Sequence, residues 1–417
     1  MTGYGYTDIT ACRVCGNNNL EKILCLGKQA LTGVFPSAPD KQVTKGPVTL
    51  VKCHGQGDSC CHLVQLKQSY DAKEIYGENY GYRSGLNASM VQHLQQKVGD
   101  ILKNVNLQSG DIILDIGSND GTTLGFYPHG DWKLVGMDPV GEKFKPYYKP
   151  HINLIAEFFS AKNFQREFGK KKAKIITSFS IFYDLEDPVA FARDVSNMLA
   201  SDGIWVMEQS YMPKMLSNIS YDTACHEHLE YYGLRQIEWI AKKVGMKLVD
   251  VSFNDINGGS FSVVLANKEH RDIVVYQDKL NAVLESELLF ETLGPFQKFA
   301  MDVEASRETL VTTLTQLKAN RKTVFGLGAS TKGNVVLQYA GITPDLLPAI
   351  GEVNPDKFGC YTPGTLIPIL PETEILAKKP DYLLLLPWHF WNSFENDIAL
   401  NGISLIHPLN ASLNIQK

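Results

Sequence analysis

The stretch Ile112-Ile-Leu-Asp-Ile-Gly-Ser-Asn-Asp-Gly121 decides the fold of this chain, because an apolar strand runs directly into a glycine-rich, acidic turn. Gly117 lets the backbone approach a ligand closely, and Asp115 lies at the carboxyl end of the strand. The next apolar run, Lys133-Leu-Val-Gly-Met137, begins 16 residues after Gly117 (133 − 117), as expected for one strand–helix–strand crossover. We therefore predict a strand, this turn and a helix at the start of a parallel sheet.

The chemistry of this turn favours a positively charged ligand. It lacks both the G-x-G-x-x-G pattern and the lysine of a phosphate-binding loop, so a pyrophosphate is disfavoured. The sulfonium of S-adenosylmethionine suits an acidic D-x-G-x-x-x-G turn, and Asp138, at the end of the next strand, can accept both hydroxyls of a ribose. The alternative is a purely structural strand–turn–helix.

Working outward, further strand-like runs alternate with helical segments, at 174–178 and 203–207. This alternation predicts a mostly parallel sheet with helices on both faces, to which 260–265 adds an edge strand. A long helix with apolar residues from Phe296 to Leu317 follows, and a second α/β pattern runs from Thr323 to Ile406.

The predicted architecture is α/β in three parts. Residues 1–70 are rich in cysteine and glycine and read as a small zinc-binding module that is too small to build a sufficient core alone. Residues 71–267 read as a central Rossmann-like domain. Residues 268–417 read as a C-terminal Rossmann-like α/β domain preceded by the long helix.

Composition excludes several classes of protein. The 417 residues carry 40 Lys plus Arg against 45 Asp plus Glu, and a net charge of −5 gives no broad reason to bind nucleic acid or an anionic membrane. The first residues lack the basic start and apolar stretch of a signal peptide, and no apolar run is a membrane span. We expect a cytoplasmic protein, with a monomer favoured.

Six of the eight cysteines fall within residues 12–61, which indicates a metal site in a reducing compartment. Cys12-x-x-Cys15 is a knuckle whose two thiolates can chelate one tetrahedral ion. The spacing leaves open whether Cys53 is joined by Cys60 or by Cys61. Thiolate ligands favour structural zinc, ahead of unliganded reduced cysteines or an iron–sulfur cluster.

A second constellation lies in Tyr221-Asp-Thr-Ala-Cys-His-Glu-His-Leu-Glu-Tyr-Tyr232. It is not H-E-x-x-H, so two histidines on one helical turn are not implied. Adjacent residues point in different directions, and only some can face one cleft. A histidine beside a carboxylate is a good general base, and the alternative is a surface or cap cluster.

These motifs together resemble the three-domain, S-adenosylmethionine-dependent sugar C-methyltransferases of deoxysugar biosynthesis, in particular those that methylate nucleotide-linked deoxysugars at C-3′. The resemblance covers essentially the whole chain. It favours Cys61 over Cys60, because the family has Cys-Gly-Leu-Val-Gln-Leu where this chain has Cys61-His-Leu-Val-Gln-Leu66. The landmarks are Cys12-x-x-Cys15, Cys61–Leu66, Asn79-Tyr-Gly-Tyr-Arg-Ser84, Asp115–Gly121, His226-Glu-His-Leu229, Asn257-Gly-Gly-Ser260, Gly328-Ala-Ser-Thr-Lys-Gly-Asn334, Tyr361-Thr-Pro-Gly364 and Leu386-Pro-Trp-His389.

The resemblance implies three groups of site residues. The cofactor group is Asp115, Gly117, Ser118, Asn119, Asp138, Glu157, Phe158 and Phe159. In the sugar and catalytic group, Tyr80, Glu227 and His228 would line the sugar site, and the mechanism considered below adds that Tyr80, Asp184 or Cys225 would contact the enolate region. The substrate group is Tyr82, Arg83, Ser330 and Lys332, the last two as phosphate contacts in the C-terminal domain. A glycine-rich turn with backbone N–H groups and a lysine independently suits an anion.

Two departures from the family put the methylated carbon and the sugar in doubt. Asp184 stands where the C-3′-methyltransferases have histidine, and Cys225 stands where they have tyrosine.

The resulting hypothesis is base-catalysed C-methylation of a nucleotide-linked 4-keto-deoxysugar. His228, oriented by Glu227, would take the proton beside the ketone. An epimerase or isomerase on the same scaffold is the alternative enzyme, and a zinc-ribbon binding module on inactive domains is the alternative without catalysis.

Overall fold

The structure is a computed structural model that describes residues 5–57, 59–71, 83–395, 397–400 and 402–410. These ranges contain sheets of two, four, seven and five strands. No helix within them is both long enough and apolar enough to cross a bilayer. The division predicted at residues 70 and 267 stays a prediction.

The N-terminal region is built from short antiparallel strands. Strand β1 pairs with β5, while β2, β3 and β4 form consecutive antiparallel neighbours of a larger sheet. The apolar runs at 48–51 and 64–66 lie within β3 and β4. The bounds are β1 Tyr6–Asp8, β2 Leu20–Ala30, β3 Lys45–Cys53, β4 Val64–Leu66 and β5 Gln68–Tyr70.

The central region forms the seven-stranded sheet, in the order β12-β13-β10-β9-β6-β7-β8. The five strands from β10 to β8 are parallel, β13 runs antiparallel to β10, and β12 runs antiparallel to β13. All five residues of β6 are buried, as expected for a strand covered on both faces. The bounds are β6 Ile112–Ile116, β7 Lys133–Met137, β8 Ile152–Ile155, β9 Ala173–Phe179, β10 Leu199–Ser210, β11 Glu230–Tyr231, β12 Met246–Asn254 and β13 Ser260–Asn267.

Two expectations about this sheet are wrong. The strand that begins at Ser260 is not at the edge, because 246–254 turns back as a hairpin and covers its outer side. The helix expected after the glycine-rich turn is replaced by a 3-10 turn at Leu124–Phe126. Gly125 and Pro128 follow too closely for a helix to propagate there.

The C-terminal region is a five-stranded parallel sheet in the order β16-β15-β14-β17-β18, as the second α/β pattern predicts. The strand bounds are β14 Val324–Leu327, β15 Ile350–Glu352, β16 Ile369–Pro371, β17 Tyr382–Leu385 and β18 Ser404–Ile406.

Helices cover the sheets and begin where the sequence supplies caps. Asn87 accepts hydrogen bonds from two backbone N–H groups at the start of α1, and Ser330 accepts one at the start of α9. The helices of the described chain are α1 Ala88–Asn104, α2 Gly141–Phe144, α3 Ala161–Phe168, α4 Pro188–Met198, α5 Met212–Ser217, α6 Leu234–Lys243, α7 Gln277–Ser286, α8 Gly294–Ala319, α9 Thr331–Ala340, α10 Glu372–Ala377 and α11 Trp391–Glu395.

The small N-terminal sheet completes its core by packing on the rest of the chain. Leu50 and Leu66 share one buried cluster with Phe296, Leu310 and Val336 of α8 and α9. Strand β11, from the segment that carries the His-Glu motif, pairs with β4 and joins the same sheet. The N-terminal and central regions therefore share a sheet as well as a core.

Candidate active site

The four predicted metal ligands, Cys12, Cys15, Cys53 and Cys61, lie together. Their sulfur atoms are all within 4.8 Å of one another, with Cys12 Sγ 3.5 Å from Cys61 Sγ and Cys15 Sγ 3.4 Å from Cys53 Sγ. Zinc with Zn–S bonds of about 2.3 Å holds tetrahedral sulfurs roughly 3.8 Å apart, so this set fits the ion. Cys60 lies next to the set, its Sγ 3.4 Å from that of Cys53.

Arg13, inside the cysteine knuckle, joins the N-terminal sheet to the central region. Its buried guanidinium donates to the carbonyl oxygens of Leu66 at 2.6 Å and Gln68 at 3.1 Å. The same side chain donates to Glu186 at 3.1 Å and lies 3.7 Å from the buried carboxylate of Glu230 in β11. This contact set ties the metal-site loop to the segment that leads away from His228.

The glycine-rich turn forms a close-fitting cradle at the carboxyl end of β6. Gly117 has φ +73°, and a Cβ there would lie 2.4 Å from Cγ2 of Ile181, so only glycine fits. Asn119 donates its backbone N–H to Asp138 at 2.8 Å. The turn and the acid at the end of β7 are thus fixed to one another.

Asp138 is buried and accepts a second backbone hydrogen bond, from Val140 at 2.8 Å. Burial raises the pKa of its carboxyl, and the two backbone bonds oppose that rise. Each carboxylate oxygen can accept one more hydrogen bond, which is what the two hydroxyls of a ribose require. This acid and the glycine cradle fit S-adenosylmethionine.

Asp115 lies within the sheet. Its carboxyl accepts a 2.5 Å hydrogen bond from Thr177 Oγ1 of β9, and only 2% of the residue is exposed. Burial raises its pKa to about 7. This geometry ties β6 to β9 beneath the turn.

The predicted cofactor stretch Glu157-Phe158-Phe159 follows β8, beyond β7. Glu157 forms two hydrogen bonds with Arg166, whereas Phe158 is 60% exposed. Phe159 packs against Phe191 with ring centroids 5.0 Å apart. Of the three, Phe158 is the most exposed residue.

Ser118 belongs to the glycine-rich turn, and Arg83 lies beside it. Ser118 Oγ lies 2.8 Å from the hydroxyl of Tyr148. Arg83 Nε lies 3.6 Å from Asp120, and its guanidinium stacks over the ring of Tyr147 at 4.0 Å. Arg83, predicted as a substrate residue, therefore lies beside the glycine-rich turn. The predicted Tyr80 and Tyr82 lie outside the described residues.

The ring of His228 is held by a backbone carbonyl. Nδ1 lies 2.8 Å from the carbonyl oxygen of Thr223, and Tyr183 packs on the ring with centroids 4.4 Å apart. A carbonyl only accepts, so Nδ1 carries the proton and Nε2 keeps its lone pair. The expectation that Glu227 orients the ring is therefore corrected.

Burial lowers the pKa of His228, and the charge of Lys332 adds to that effect. The negative charge of Glu227 and the Thr223 hydrogen bond oppose it. A cavity of about 10 Å³ adjoins the ring, lined in part by Tyr183 and Glu230. That space holds about one water molecule.

The neighbours of His228 point in different directions, as the sequence predicts. Glu227 is half-buried and accepts a 3.4 Å hydrogen bond from Thr32 of the N-terminal region. Cys225 and His226 are buried, and burial raises the pKa of the Cys225 thiol well above its usual value. Cys225 therefore lies in the core as a neutral thiol, a surrounding unlike the enolate contact expected of it.

The predicted phosphate contacts already have partners within the protein. Lys332 donates from Nζ to the carbonyl oxygen of Asn257 at 2.7 Å. Ser330 caps α9 by accepting from the N–H of Gly333 at 2.9 Å. The N–H of Ala329 in the same turn donates to a glutamate carboxylate. An anion bound here would have to share these groups.

Comparisons with known proteins match all three regions. Residues 12–76 match a family described as "Putative zinc binding domain", 90–251 one described as "Methyltransferase domain", and 255–409 one described as "C-methyltransferase C-terminal domain". The curated C-methyltransferase NovU of Streptomyces niveus is 27% identical over 413 residues, 96% of either chain. The chain is an S-adenosylmethionine-dependent, three-domain C-methyltransferase related to NovU.

Two solved structures align with part of this C-methyltransferase. The methyltransferase in complex with the Trm112 activator of Haloferax volcanii is 12% identical, covering 44% of this chain and 94% of its own, with a TM-score of 0.36. Magnesium protoporphyrin IX methyltransferase of Synechocystis is 14% identical, covering 47% and 92%, with a TM-score of 0.35.

The sequence missed three contacts around the site of this C-methyltransferase. They are the Thr223 carbonyl on His228, the Tyr183 ring above it, and the contact between Thr32 and Glu227. The first contact comes from a local turn that brings Thr223 back to His228. The second comes from the segment after β9, which brings Tyr183 to the ring. For the Tyr183 contact, the one signal in the sequence was the position of Tyr183, directly before the predicted site residue Asp184.

Proposed function

We propose that this C-methyltransferase methylates a carbon beside the ketone of a nucleotide-linked 4-keto-deoxysugar, with His228 as the base. The observation that carries the proposal is the anchored His228 ring, whose Nε2 is the nitrogen left to accept a proton. A hydrogen beside a ketone can be removed because the resulting enolate delocalises its charge onto oxygen. C-methylation needs such a carbon nucleophile.

The surroundings of His228 suit proton removal. Burial keeps the ring neutral at pH 7, since it lowers the pKa of the imidazole. After His228 takes the proton, its imidazolium is stabilised by the Thr223 carbonyl and by the negative charge of Glu227. Both interactions favour the charged ring over the neutral one.

Tyr183 and Asp184 follow β9, and Tyr183 packs on the ring of this base. As a carboxylate, Asp184 would repel an enolate, so we assign it to a hydroxyl of the sugar. Tyr183 packs against the imidazole with its ring tilted by 60° and helps to fix the ring's orientation.

S-adenosylmethionine, when bound, supplies a methyl group already activated by its sulfonium. The chain's task toward this cofactor is positioning, and we assign it to the Gly117 cradle and to Asp138. The turn follows the carboxyl end of β6, and Tyr183, which packs on the His228 ring, follows the carboxyl end of the parallel neighbour β9. Ligands of open α/β folds bind at this edge of the sheet.

The test is mass spectrometry of the sugar after incubation in D₂O with S-adenosylmethionine and a panel of nucleotide-linked 4-keto-6-deoxyhexoses. The expected product carries one extra methyl group on carbon. Deuterium uptake without methylation would support an epimerase or isomerase instead. No change with any sugar would overturn the substrate class.

A further inference from the structure

A cleft of about 310 Å³ separates the central region from the C-terminal sheet. One wall carries four rings, Trp388, His389, Trp391 and His407. The Leu386-Pro-Trp-His389 motif thus faces an open cleft, although the proposed chemistry gives it no role. Its volume is within the range of small-molecule sites.

The ring wall is held firmly. Trp388 donates its indole N–H to Asp222 at 2.7 Å, and Gly258 packs so close that a Cβ there would lie 2.7 Å from the indole. His407 lies between the two indoles, with its ring centroid 5.2 Å from that of Trp388 and 5.6 Å from that of Trp391. The three rings form a fixed row along the cleft.

His407 contributes a neutral ring with a defined donor. Its Nδ1 accepts backbone hydrogen bonds from Leu409 and Asn410, both at 3.2 Å. The proton of the neutral ring is therefore on Nε2. Burial lowers its pKa to about 4, so the ring is uncharged at neutral pH.

The opposite wall is polar. Lys214 is exposed there, and its stem crosses Gly259, where a Cβ would lie 2.2 Å from Cγ of the lysine. Asn218 donates its amide N–H to the carbonyl of Gly258 at 3.0 Å, and Asp255 lines the same side. A ligand between the walls meets flat rings on one side and a cation, an amide and a carboxylate on the other.

The cleft lies within reach of the proposed base, His228. Gly258 comes just before β13, whose first residue pairs with Ser210 at the carboxyl end of β10. Strands β10, β13 and β12 lie one, two and three places from β9, on the side away from the glycine-rich turn of β6. With strands about 4.8 Å apart, the cleft is roughly 10–15 Å from the end of β9.

We propose that this cleft binds the nucleobase of the nucleotide-linked substrate, stacked on the Trp391–His407 rings. This inference rests on the proposed function, because a nucleotide-linked sugar bound at His228 would extend along the sheet toward this cleft. A base has a flat face for the rings and polar edges for the opposite wall, and the Lys214 ammonium attracts the attached diphosphate.

The test is calorimetric titration of the full, zinc-loaded chain with dTDP, UDP and GDP. Loss of one base–aromatic stack predicts that Trp391→Ala weakens binding of the preferred nucleotide about 5- to 150-fold, while Trp391→Phe largely restores it. Trp132→Ala is the matched control, since Trp132 lies at the amino end of β7, on the opposite edge of the sheet. S-adenosylmethionine affinity should be unchanged in all three variants.

A second measurement locates the nucleotide without any substitution. Photo-crosslinking with 5-iodouridine diphosphate should label the peptides that contain Trp391 or His407. This inference would be overturned, and the proposed function would remain, if Trp391→Ala bound the nucleotide as tightly as the wild type and crosslinking labelled other peptides. Wild-type protein that binds none of the three nucleotides would overturn both.

Discussion

A histidine acts as a base only while its ring is neutral, and the surroundings of His228 decide that state. Burial favours the neutral ring, whereas the Glu227 charge and the Thr223 carbonyl favour the protonated ring. Burial is the largest effect, so the folded pKa lies below the ordinary value of about 6.5. The Glu227 charge and the Thr223 carbonyl stabilise the His228 ring most after it has taken up the proton.

The first prediction concerns pH. Because His228 must be neutral and its pKa is lowered, deuterium exchange into the sugar should stay constant down to about pH 6.5 and fall at lower pH. The measurement is the pH profile of this exchange in the full chain. A profile already falling between pH 8 and 7 would contradict a His228 that is neutral at pH 7.

The second prediction concerns the side chain itself. His228→Asn should lower turnover about 10²- to 10⁴-fold, because a positioned base contributes that much to proton transfer. S-adenosylmethionine affinity should remain, and the acid limb of the pH profile should disappear. His151→Asn, at an exposed histidine, is the matched control. Wild-type turnover in His228→Asn would exclude this residue as the base.

Sequence reasoning identified residues of the candidate site but not the groups that hold them in place. It found the four cysteines because thiolate chemistry and family spacing constrain them, and the structure brings them together. It assigned the orientation of His228 to Glu227 because the two are adjacent in sequence. A kinked segment instead turns Glu227 toward Thr32 and leaves His228 to a carbonyl, which no side-chain pattern encodes.

At the scale of elements, the turn after β6 depends on two constraints at one residue. Gly117 needs φ +73° and the absence of a Cβ, since Ile181 fills that space. Gly245 also has positive φ, +77°, but no atom lies within 4 Å of the position of a Cβ. Substitutions at these two glycines therefore separate the effect of backbone strain from the effect of steric crowding.

The third prediction uses this pair. Gly117→Ala should weaken S-adenosylmethionine binding about 10- to 100-fold, because displacing packed Ile181 costs about 1–3 kcal/mol beyond the backbone strain. Gly245→Ala should cost about 1 kcal/mol of stability and leave the affinity unchanged. Calorimetry with the cofactor measures both variants. Equal cofactor affinities in the two variants would contradict the cradle.

Strand prediction succeeded where burial is continuous and failed where pairing decides. The runs at 112–116 and 133–137 match β6 and β7 residue for residue, because strands buried on both faces read as apolar runs. Strand β12 was missed, and with it the true edge of the sheet. Its place comes from a hairpin with β13, a nonlocal pairing that composition does not record.

For the whole molecule, the consequential feature is that one strand belongs to two regions. Strand β11 begins two residues after His228 and pairs with β4, which starts three residues after Cys61. Arg13, between two of the cysteines, bonds the backbone of the same sheet and approaches Glu230 of β11. The metal-site loop is thus connected to the base through one strand and one buried cation.

The last prediction follows from this connection. Cys15→Ser should remove zinc, lower the melting temperature and lose proton exchange at the sugar by a larger factor than it loses S-adenosylmethionine affinity. Structural zinc contributes about 10–16 kcal/mol in small modules, and losing even 3 kcal/mol would lower the melting temperature by roughly 6–12 °C. Cys25→Ser, at an exposed cysteine outside the cluster, should retain zinc, stability and exchange. Metal analysis, thermal melts and exchange rates on the same preparations provide the comparison. A zinc-free Cys15→Ser protein with wild-type exchange would mean that β11 holds His228 in place without the metal.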